Sequence, residues 1–297
     1  MNFIEYLSNS ERMILDGPMG TELDRRGIDI SLPLWSAAAT YENPGTIQTI
    51  HTDYINAGVD IITSNTFRTD TRTFQKAGFH MNDARQATLR AVELAQNAIN
   101  RAITTKPIWI AGSMSPLEDC YRPDLSPDFD TALKEHREKA RWLSSACVDF
   151  ILIETMNNIQ EASAAAQAAI ETGLPVAVSF ILTDKDHILN GDKIIDAHDH
   201  LKDTGIHLFS INCCHHQIIS DFILKYIHKL HLPLMVYPNA DHYDPASGWK
   251  TDPVFSPQIY SEIAAKWFEQ GVRIIGACCG TGPEFIQHIG HLKNSPV

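Results

Sequence analysis

Short apolar runs rich in β-branched residues recur along the chain and alternate with segments of helical periodicity. Eight such runs fall at residues 13–15, 59–63, 108–111, 150–153, 176–180, 208–211, 234–237 and 273–276. Three of the helical segments span residues 83–103, 159–172 and 256–270. Nearly continuous apolar strands separated by helices are typical of a parallel sheet. Eight such units in 297 residues predict a single (β/α)₈ barrel, a TIM barrel, as one domain over residues 1–297. An open, doubly wound sheet is the alternative.

Composition and charge argue against several classes of protein. The net charge of −12 opposes binding to nucleic acid or to anionic membrane surfaces. No apolar stretch reaches the roughly 18 residues that a membrane span requires. The amino terminus lacks the basic and apolar segments of a signal peptide. We therefore expect a cytoplasmic protein with small-molecule partners, and a homo-oligomer is compatible with this sequence.

Polar side chains follow most of the predicted strands at the end where each strand finishes. They are Asp16, Ser64-Asn65-Thr66, Ser113, Glu154, Asn212-Cys213, Tyr237-Pro238-Asn239 and Cys278-Cys279. In barrel enzymes the carboxyl ends of the strands carry the active site, because the βα loops meet there. The sequence therefore predicts one site at this end of the barrel.

Two pairs of adjacent cysteines, Cys213-Cys214 and Cys278-Cys279, follow predicted strands six and eight. In a barrel these strand ends are about two strands apart, so their side chains can meet over the mouth. Three thiolates, from Cys213, Cys278 and Cys279, would form a tetrahedral zinc site with its fourth position open, as in catalytic zinc sites. The alternative is that these cysteines are small buried apolar residues.

The remaining cysteines and the nearby histidines receive other interpretations. Cys214 should point away from Cys213 if the extended backbone continues. Cys147, just before strand four, is predicted to lie in the core, and Cys120 in a loop has no assigned role. A mixed Cys/His zinc site is an alternative that uses histidines close to the thiols in sequence. These are His215, His216 and His242.

Two carboxylates follow predicted strands one and four. Asp16 begins a turn at Gly17-Pro18, where the glycine lets the backbone approach a ligand. Glu154 follows four apolar residues, so its charge is costly unless a cation is nearby. The two carboxylates could hold an ammonium group or act as general acid and base, and structural ion pairs or helix caps are the alternative. Trp35 could attract a cation with its aromatic face, or it could pack beneath the first loop.

With these motifs the chain resembles the homocysteine S-methyltransferases, a family of zinc-dependent thiol methyltransferases. The resemblance covers nearly the whole chain. Its motifs are Leu15-Asp16-Gly17-Pro18-Met19-Gly20-Thr21-Glu22-Leu23, Leu34-Trp35-Ser36, Glu42-Asn43-Pro44, Asn65-Thr66-Phe67, Tyr121-Arg122, Ile153-Glu154, Ile211-Asn212-Cys213, Val236-Tyr237-Pro238-Asn239 and Gly276-Ala277-Cys278-Cys279-Gly280. The segment 237–244 is most similar to the branch that uses S-methylmethionine.

The resemblance implies a zinc enzyme with Cys213, Cys278 and Cys279 as the metal ligands. Zinc would lower the pKa of the homocysteine thiol, and the thiolate would attack a methyl group on a sulfonium donor to give methionine. No protein base is needed for that transfer, so no catalytic side chain is predicted. S-methylmethionine is the favoured donor and S-adenosylmethionine the second. Alternatives are betaine as donor, another thiol or selenol as acceptor, a zinc hydrolase with Glu154 as base, or a zinc-storage protein.

The resemblance also implies which residues contact the substrates. The amino group of homocysteine would meet two carboxylates, Asp16 and Glu154. Its carboxylate would meet the backbone at Gly17 and Pro18, and the methyl donor would meet Trp35. Three further motif residues are expected at the substrate site. They are Asn65, Thr66 and Asn212.

A donor with an amino-acid head needs polar partners of its own. The loops after predicted strands three and seven offer Tyr121, Arg122, Asp124 and Asn239 for this head. We therefore expect these four residues at the donor end of the site.

Overall fold

The computed structural model describes residues 2–104, 106–244, 248–251 and 254–294. The strands, in chain order, are β1 Met13–Ile14, β2 Ile61–Thr63, β3 Trp109–Met114, β4 Phe150–Met156, β5 Val176–Phe180, β6 Leu208–His215, β7 Leu234–Asn239, β8 Asp241–Asp244, β9 Gly248–Thr251 and β10 Ile274–Ile275. All except β8 and β9 form one parallel sheet in the order β1-β10-β7-β6-β5-β4-β3-β2. A parallel bridge between Leu15 and Ile61 joins β1 to β2. The sheet is therefore the predicted (β/α)₈ barrel, and the open-sheet alternative is wrong.

Helices connect the strands. They are α1 Phe3–Asn9, α2 Met19–Arg25, α3 Ala39–Glu42, α4 Pro44–Asn56, α5 Thr71–Lys76, α6 Met81–Arg101, α7 Phe129–Ser145, α8 Ile159–Ile170, α9 Ile194–Leu201, α10 His216–Tyr226, α11 Pro257–Glu269 and α12 Pro283–Gly290. The three predicted helices are confirmed as α6, α8 and α11, with ends that differ by no more than two residues. Asn158 caps the amino terminus of α8, and its side chain accepts a hydrogen bond from the backbone N–H of Glu161 at 2.8 Å. Among the described residues no helix is both long enough and apolar enough to cross a bilayer.

Helix α1 closes the amino-terminal end of the barrel, although the sequence analysis did not single it out. Phe3 stacks on Phe150 with ring centroids 4.3 Å apart and meets Trp109 edge-on at 5.9 Å. Leu7 is buried in the same apolar cluster. Because apolar side chains fill this end, the carboxyl ends of the strands form the accessible mouth.

Four barrel strands extend past their predicted carboxyl ends. β3 continues to Met114, β4 to Met156, β6 to His215 and β7 to Asn239. Residues predicted to follow the strands therefore belong to the sheet itself. A polar side chain carried by a hydrogen-bonded strand is held more rigidly than one carried by a loop.

Two neighbouring irregularities in the sheet shape the mouth. Thr155 in β4 and Cys213 in β6 have φ angles of 61° and 55°, and the strand register shifts at both places. The side chain of Asn212 joins the two strands. Its Oδ1 accepts from the backbone N–H of Thr155 at 3.0 Å and from the Ser179 hydroxyl at 2.7 Å, and its Nδ2 donates to Thr155 Oγ1 at 2.8 Å. Asn212 therefore fixes the backbone next to Glu154 and Cys213.

The prediction that Cys147 lies in the core is wrong. Cys147 is exposed, and it lies two residues after the end of α7 with a left-handed φ of 61°. A residue in this conformation ends the helix and turns its side chain towards solvent. The buried run begins one residue later, at Val148.

An antiparallel hairpin of β8 and β9 follows β7. Side chains of residues 241–253 lie outside the described part of the structure. The alternative that placed His242 on a metal falls on these residues.

We predict that Asn212→Ala lowers the free energy of unfolding by about 1–3 kcal/mol, because the buried N–H of Thr155 loses its acceptor. Urea denaturation followed by circular dichroism measures this loss. Ser179→Ala is the matched control, since it removes one hydrogen bond and leaves the bond between Asn212 and Thr155 intact. Equal stability of the wild type and Asn212→Ala would show that Asn212 does not hold the two strands.

Candidate active site

Three thiols meet at the mouth of the barrel. The Sγ atoms of Cys213, Cys278 and Cys279 all lie within 4.8 Å of one another, and the last two are 4.0 Å apart. Among the described residues this is the only group of three or more Cys, His, Asp or Glu side chains placed to hold a metal ion. Soft thiolates are ligands that zinc prefers, so this donor set fits the metal that the sequence predicts. The described histidines do not join the group.

The last residues of β7 hold the two halves of the thiol cluster together. The backbone N–H of Cys278 donates to the carbonyl of Pro238 at 2.7 Å, and Ala240 donates to the carbonyl of Cys279 at 2.9 Å. On the other side of β7, His215 of β6 pairs with Asn239. One strand therefore sets the spacing between Cys213 and the Cys278-Cys279 pair.

Within the cluster, the thiol of Cys213 is the one whose pKa is lowered. Hydrogen bonds from the thiols of Cys278 and Cys279 lower the pKa of Cys213 well below its usual value. The hydroxyl of Tyr121, 3.4 Å from the Cys213 Sγ, and the side chain of Asn239 act in the same direction. A thiolate already favoured in the folded protein is prepared to bind a cation.

Two further cysteines lie near the cluster without joining it. Cys214 is buried and is not among the described residues of the cluster or of the cavity wall. Burial raises the pKa of Cys214 to about 12, as expected for an uncharged thiol in an apolar environment. Cys120, which had no assigned role, is buried in the wall of the cavity described next.

The thiols border a cavity of about 470 Å³ at the mouth of the barrel. Six predicted substrate residues line it together with the thiols. They are Asp16, Gly17, Pro18, Trp35, Asn65 and Glu154. Two other predicted residues, Thr66 and Asn212, are not among the described residues of the wall. The Thr66 hydroxyl donates to the carbonyl of Ser113 at 2.9 Å, and the Asn212 amide is occupied within the sheet.

Asp16 and Glu154 are two of the carboxylates that line this cavity. Asp16 accepts from the backbone N–H of Thr63 at 2.7 Å and from its hydroxyl at 2.8 Å. Glu154 accepts from the Ser113 hydroxyl and, at 3.1 Å, from the Tyr237 hydroxyl. Burial raises the pKa of Asp16 to about 8 and that of Glu154 to about 7. Neither carboxylate takes part in an ion pair among the described residues, so both are available to a cationic ligand.

Trp35 lies over the start of α2. A Cβ atom at Gly20 would come within 2.4 Å of the indole, so only glycine at that position lets the ring pack here. The indole meets the ring of Phe67 edge-on, with centroids 5.7 Å apart. The two rings supply an aromatic wall to the cavity.

The expectation that Arg122 and Asp124 lie at the donor end of the site is wrong. Their side chains are 56% and 59% exposed, and they form an ion pair of 2.6 Å with each other. They are not among the described residues that line the cavity, whereas Tyr121 is. Asn239 is buried beside Cys213, and its Oδ1 has no hydrogen-bond partner among the described residues.

Some contacts of the site were not predicted. Ser113 and Tyr237 were expected at this end of the barrel without an assigned role, and both donate to Glu154. Thr63, which donates to Asp16, was not singled out, although its place at the end of β2 was an available signal. Arg68 lines the cavity in the loop after β2, and no pattern in the sequence distinguishes it from other arginines.

Comparison with known proteins decides the family. A family model for homocysteine S-methyltransferase matches residues 13–292. The chain belongs to this family. It is 33% identical over 308 residues to the homocysteine S-methyltransferase YbgG of Bacillus subtilis, covering 97% of each chain. The selenocysteine methyltransferase of Astragalus bisulcatus is 28% identical over 313 residues, with 95% of this chain and 92% of that protein covered.

A solved structure supports the same assignment. The homocysteine methyltransferase MmuM from Escherichia coli, in its metallated form, superposes with a TM-score of 0.84 at 28% identity. The match covers 97% of this chain and 98% of that one. The family and the barrel fold predicted from the sequence are therefore both confirmed.

We predict that the stability of the substrate-free protein falls as the pH rises from about 5 to about 8. The folded state raises both carboxyl pKa values, so it retains protons that the unfolded chain has already released. The double variant Asp16→Asn/Glu154→Gln lacks this dependence. Urea denaturation measures the free energy of unfolding of both proteins across this pH range. The difference, double variant minus wild type, should increase by at least about 1.4 kcal/mol from pH 5 to pH 8, the equivalent of one pKa unit. Parallel pH profiles would mean that the carboxylates are already ionised in the folded protein.

Proposed function

We propose that this enzyme transfers a methyl group from a sulfonium compound to the thiol of homocysteine and forms methionine. S-methylmethionine is the favoured donor and S-adenosylmethionine the second. One observation carries the proposal: three converging thiols share a cavity with two carboxylates that have no cationic partner among the described residues. A thiol that also carries an ammonium group matches both features.

Zinc is the metal that fits the thiol cluster, and Cys213, Cys278 and Cys279 would hold it. When bound, zinc supplies Lewis acidity that lowers the pKa of a substrate thiol, and a three-thiolate ligand set keeps that sulfur nucleophilic. Cys213 lies on β6, and the Cys278-Cys279 segment after β10 is hydrogen-bonded to the end of β7, so little reorganisation would accompany metal binding. A hydrolytic zinc site is less compatible with these ligands, because hydrolases favour His and carboxylate ligands.

The acceptor is positioned by groups on β1 and β4. Asp16 and Glu154 would bind the ammonium group of homocysteine, and the backbone at Gly17 and Pro18, which line the cavity, would meet its carboxylate. A bound cation would offset the cost of ionising both carboxylates, whose pKa values burial has raised. The acceptor is thereby held by its amino-acid head while its sulfur faces the thiols.

The donor is placed by the aromatic wall. The indole of Trp35 would attract the sulfonium through its π face, as aromatic rings attract other onium cations. In the transfer, the acceptor thiolate forms a bond to the methyl carbon. The bond from that carbon to the sulfonium sulfur breaks, and its electron pair stays on the departing thioether. No proton moves in this step, so the residues of the cavity need only orient the two sulfur atoms.

A selenol is the second candidate acceptor. The relative from Astragalus bisulcatus is named for selenocysteine, and a selenolate is as soft a ligand as a thiolate. Competition between homocysteine and selenocysteine for a limiting donor ranks the two acceptors.

We predict about one zinc per chain in the purified protein, with occupancy lost in Cys213→Ser, Cys278→Ser and Cys279→Ser. Metal analysis by mass spectrometry measures the occupancy. Cys214→Ser is the matched control and should retain the metal, since Cys214 lies outside the cluster. Full occupancy in all three ligand variants would place the metal elsewhere.

We predict that methionine forms from homocysteine with S-methylmethionine faster than with equal concentrations of S-adenosylmethionine or betaine. Each turnover with S-methylmethionine yields two methionines, one from each substrate, so chromatographic loss of the acceptor thiol measures the rates. Replacing homocysteine by 4-mercaptobutyrate, which lacks the ammonium group, should reduce kcat/KM by about tenfold or more, because a charge-assisted contact is lost. Preference for betaine would contradict the donor class, and absence of methionine with every donor would contradict the function.

A further inference from the structure

The cavity contains one cationic side chain that the proposed function leaves unused. Among the described residues of its wall, Arg68 is the sole lysine or arginine. It lies in the loop between β2 and α5, directly after Phe67. The described wall of the cavity also carries four carboxylates, those of Asp16, Asp24, Asp119 and Glu154, and none of them forms an ion pair with Arg68. A half-buried guanidinium without a partner anion costs free energy, so its position in the cavity needs a physical reason.

Arg68 is held in place but not neutralised. Its Nη1 donates to the carbonyl of Glu118 at 3.2 Å, and its guanidinium carbon lies 5.7 Å from the centre of the Phe67 ring. Its Nε is buried without a hydrogen-bond partner, and no ion pair within the described part of the chain includes Arg68. The nearby Arg72, by contrast, pairs with Glu118 and Glu135. The guanidinium of Arg68 therefore has unused donors that suit a carboxylate.

An anion lies next to this cation. Arg68 binds the carbonyl of Glu118, and the following residue, Asp119, lines the same cavity. The Oδ1 of Asp119 accepts from the backbone N–H of Tyr121 at 3.0 Å, which fixes the carboxylate. No ion pair among the described residues includes Asp119. A cation and an anion that line the same cavity and are not joined to each other complement an α-amino carboxylate group.

The aromatic wall connects this pair to the site of transfer. Phe67 contacts both the indole of Trp35 and the guanidinium of Arg68. The ammonium group of the acceptor is already accounted for by Asp16 and Glu154. Arg68 and Asp119 are therefore left for the other substrate, whose reacting end we assign to Trp35.

We propose that Arg68 binds the carboxylate of the methyl donor and that Asp119 binds its ammonium group. Arg68 is then the residue that selects donors with an amino-acid head. This inference rests on the proposed function, because it assigns the second substrate of that reaction. It replaces the expectation that Arg122 and Asp124, which pair with each other in solvent, bind this head.

Calorimetric titration of the zinc-loaded protein tests the proposal without turnover. The ligands are S-methylmethionine and its carboxamide, which differ only in the carboxylate. The wild type should bind the carboxylate form about tenfold or more tightly, as a charge-assisted pair provides. Arg68→Gln should remove this preference, and Arg68→Lys should retain part of it, because lysine keeps the charge without the planar fork. Arg122→Gln is the matched control and should behave as the wild type.

Kinetics separate the donor from the acceptor. In Arg68→Gln the KM for S-methylmethionine should rise about tenfold or more, while the KM for homocysteine stays within about twofold. An unchanged preference between the two ligands in Arg68→Gln would overturn the inference, as would a rise confined to the KM for homocysteine. Absence of measurable S-methylmethionine binding to the wild type would also overturn it. Binding that depends on Arg68 without any methionine formation would overturn the proposed function and leave the inference standing.

Discussion

The backbone pairing around the carboxyl end of β7 is the interaction on which the site depends. β7 lies between β6 and β10 in the sheet, so its last residues are hydrogen-bonded to both cysteine-bearing segments. Because the carbonyl of Pro238 accepts from the N–H of Cys278, the Cys278-Cys279 pair cannot drift away from the sheet. Closure of the barrel then brings Cys213 to the same place. Three soft ligands from distant parts of the chain thus converge without any of them being carried by a long loop.

Two residues at the site have a strained backbone, and buried hydrogen bonds hold it in place. Thr155 and Cys213 adopt left-handed φ angles that cost free energy for residues with a Cβ atom. The side chain of Asn212, the residue before Cys213, makes buried hydrogen bonds to the backbone N–H and the hydroxyl of Thr155. The bulges interrupt the regular alternation of side-chain directions along β4 and β6. Glu154 and Cys213 are thereby turned towards the cavity that they line. The strained residues therefore lie where the directions of the Glu154 and Cys213 side chains are set.

The alternation of apolar runs and helices was sufficient to predict the barrel, and the positions of Asp16, Glu154 and the cysteines were sufficient to predict where the site lies. Local conformation was not predictable in the same way. Cys147 lies between a helix and a strand, and its left-handed backbone turns its side chain outward. No apolar pattern in the sequence indicates this conformation. The sequence likewise does not indicate which loop side chains face the cavity. Arg122 and Arg68 both lie near strand ends, and only the folded chain shows that Arg68 faces the cavity.

The charges of the proposed reaction explain why such a site can work without a catalytic acid or base. A thiolate and a sulfonium are ions of opposite sign, and their reaction yields two neutral thioethers. Hydrogen bonds to the attacking sulfur would be lost during the transfer and would therefore slow it. Around the thiols the described hydroxyl contact is that of Tyr121 with Cys213, a protein ligand rather than the attacking sulfur. The polar groups of the cavity instead lie where the heads of the substrates would bind, at Asp16 and Glu154 and at Arg68 and Asp119. Binding energy would thus be applied to parts of the substrates whose charge does not change in the reaction, and the aromatic rings of Trp35 and Phe67 would surround the part whose charge disappears.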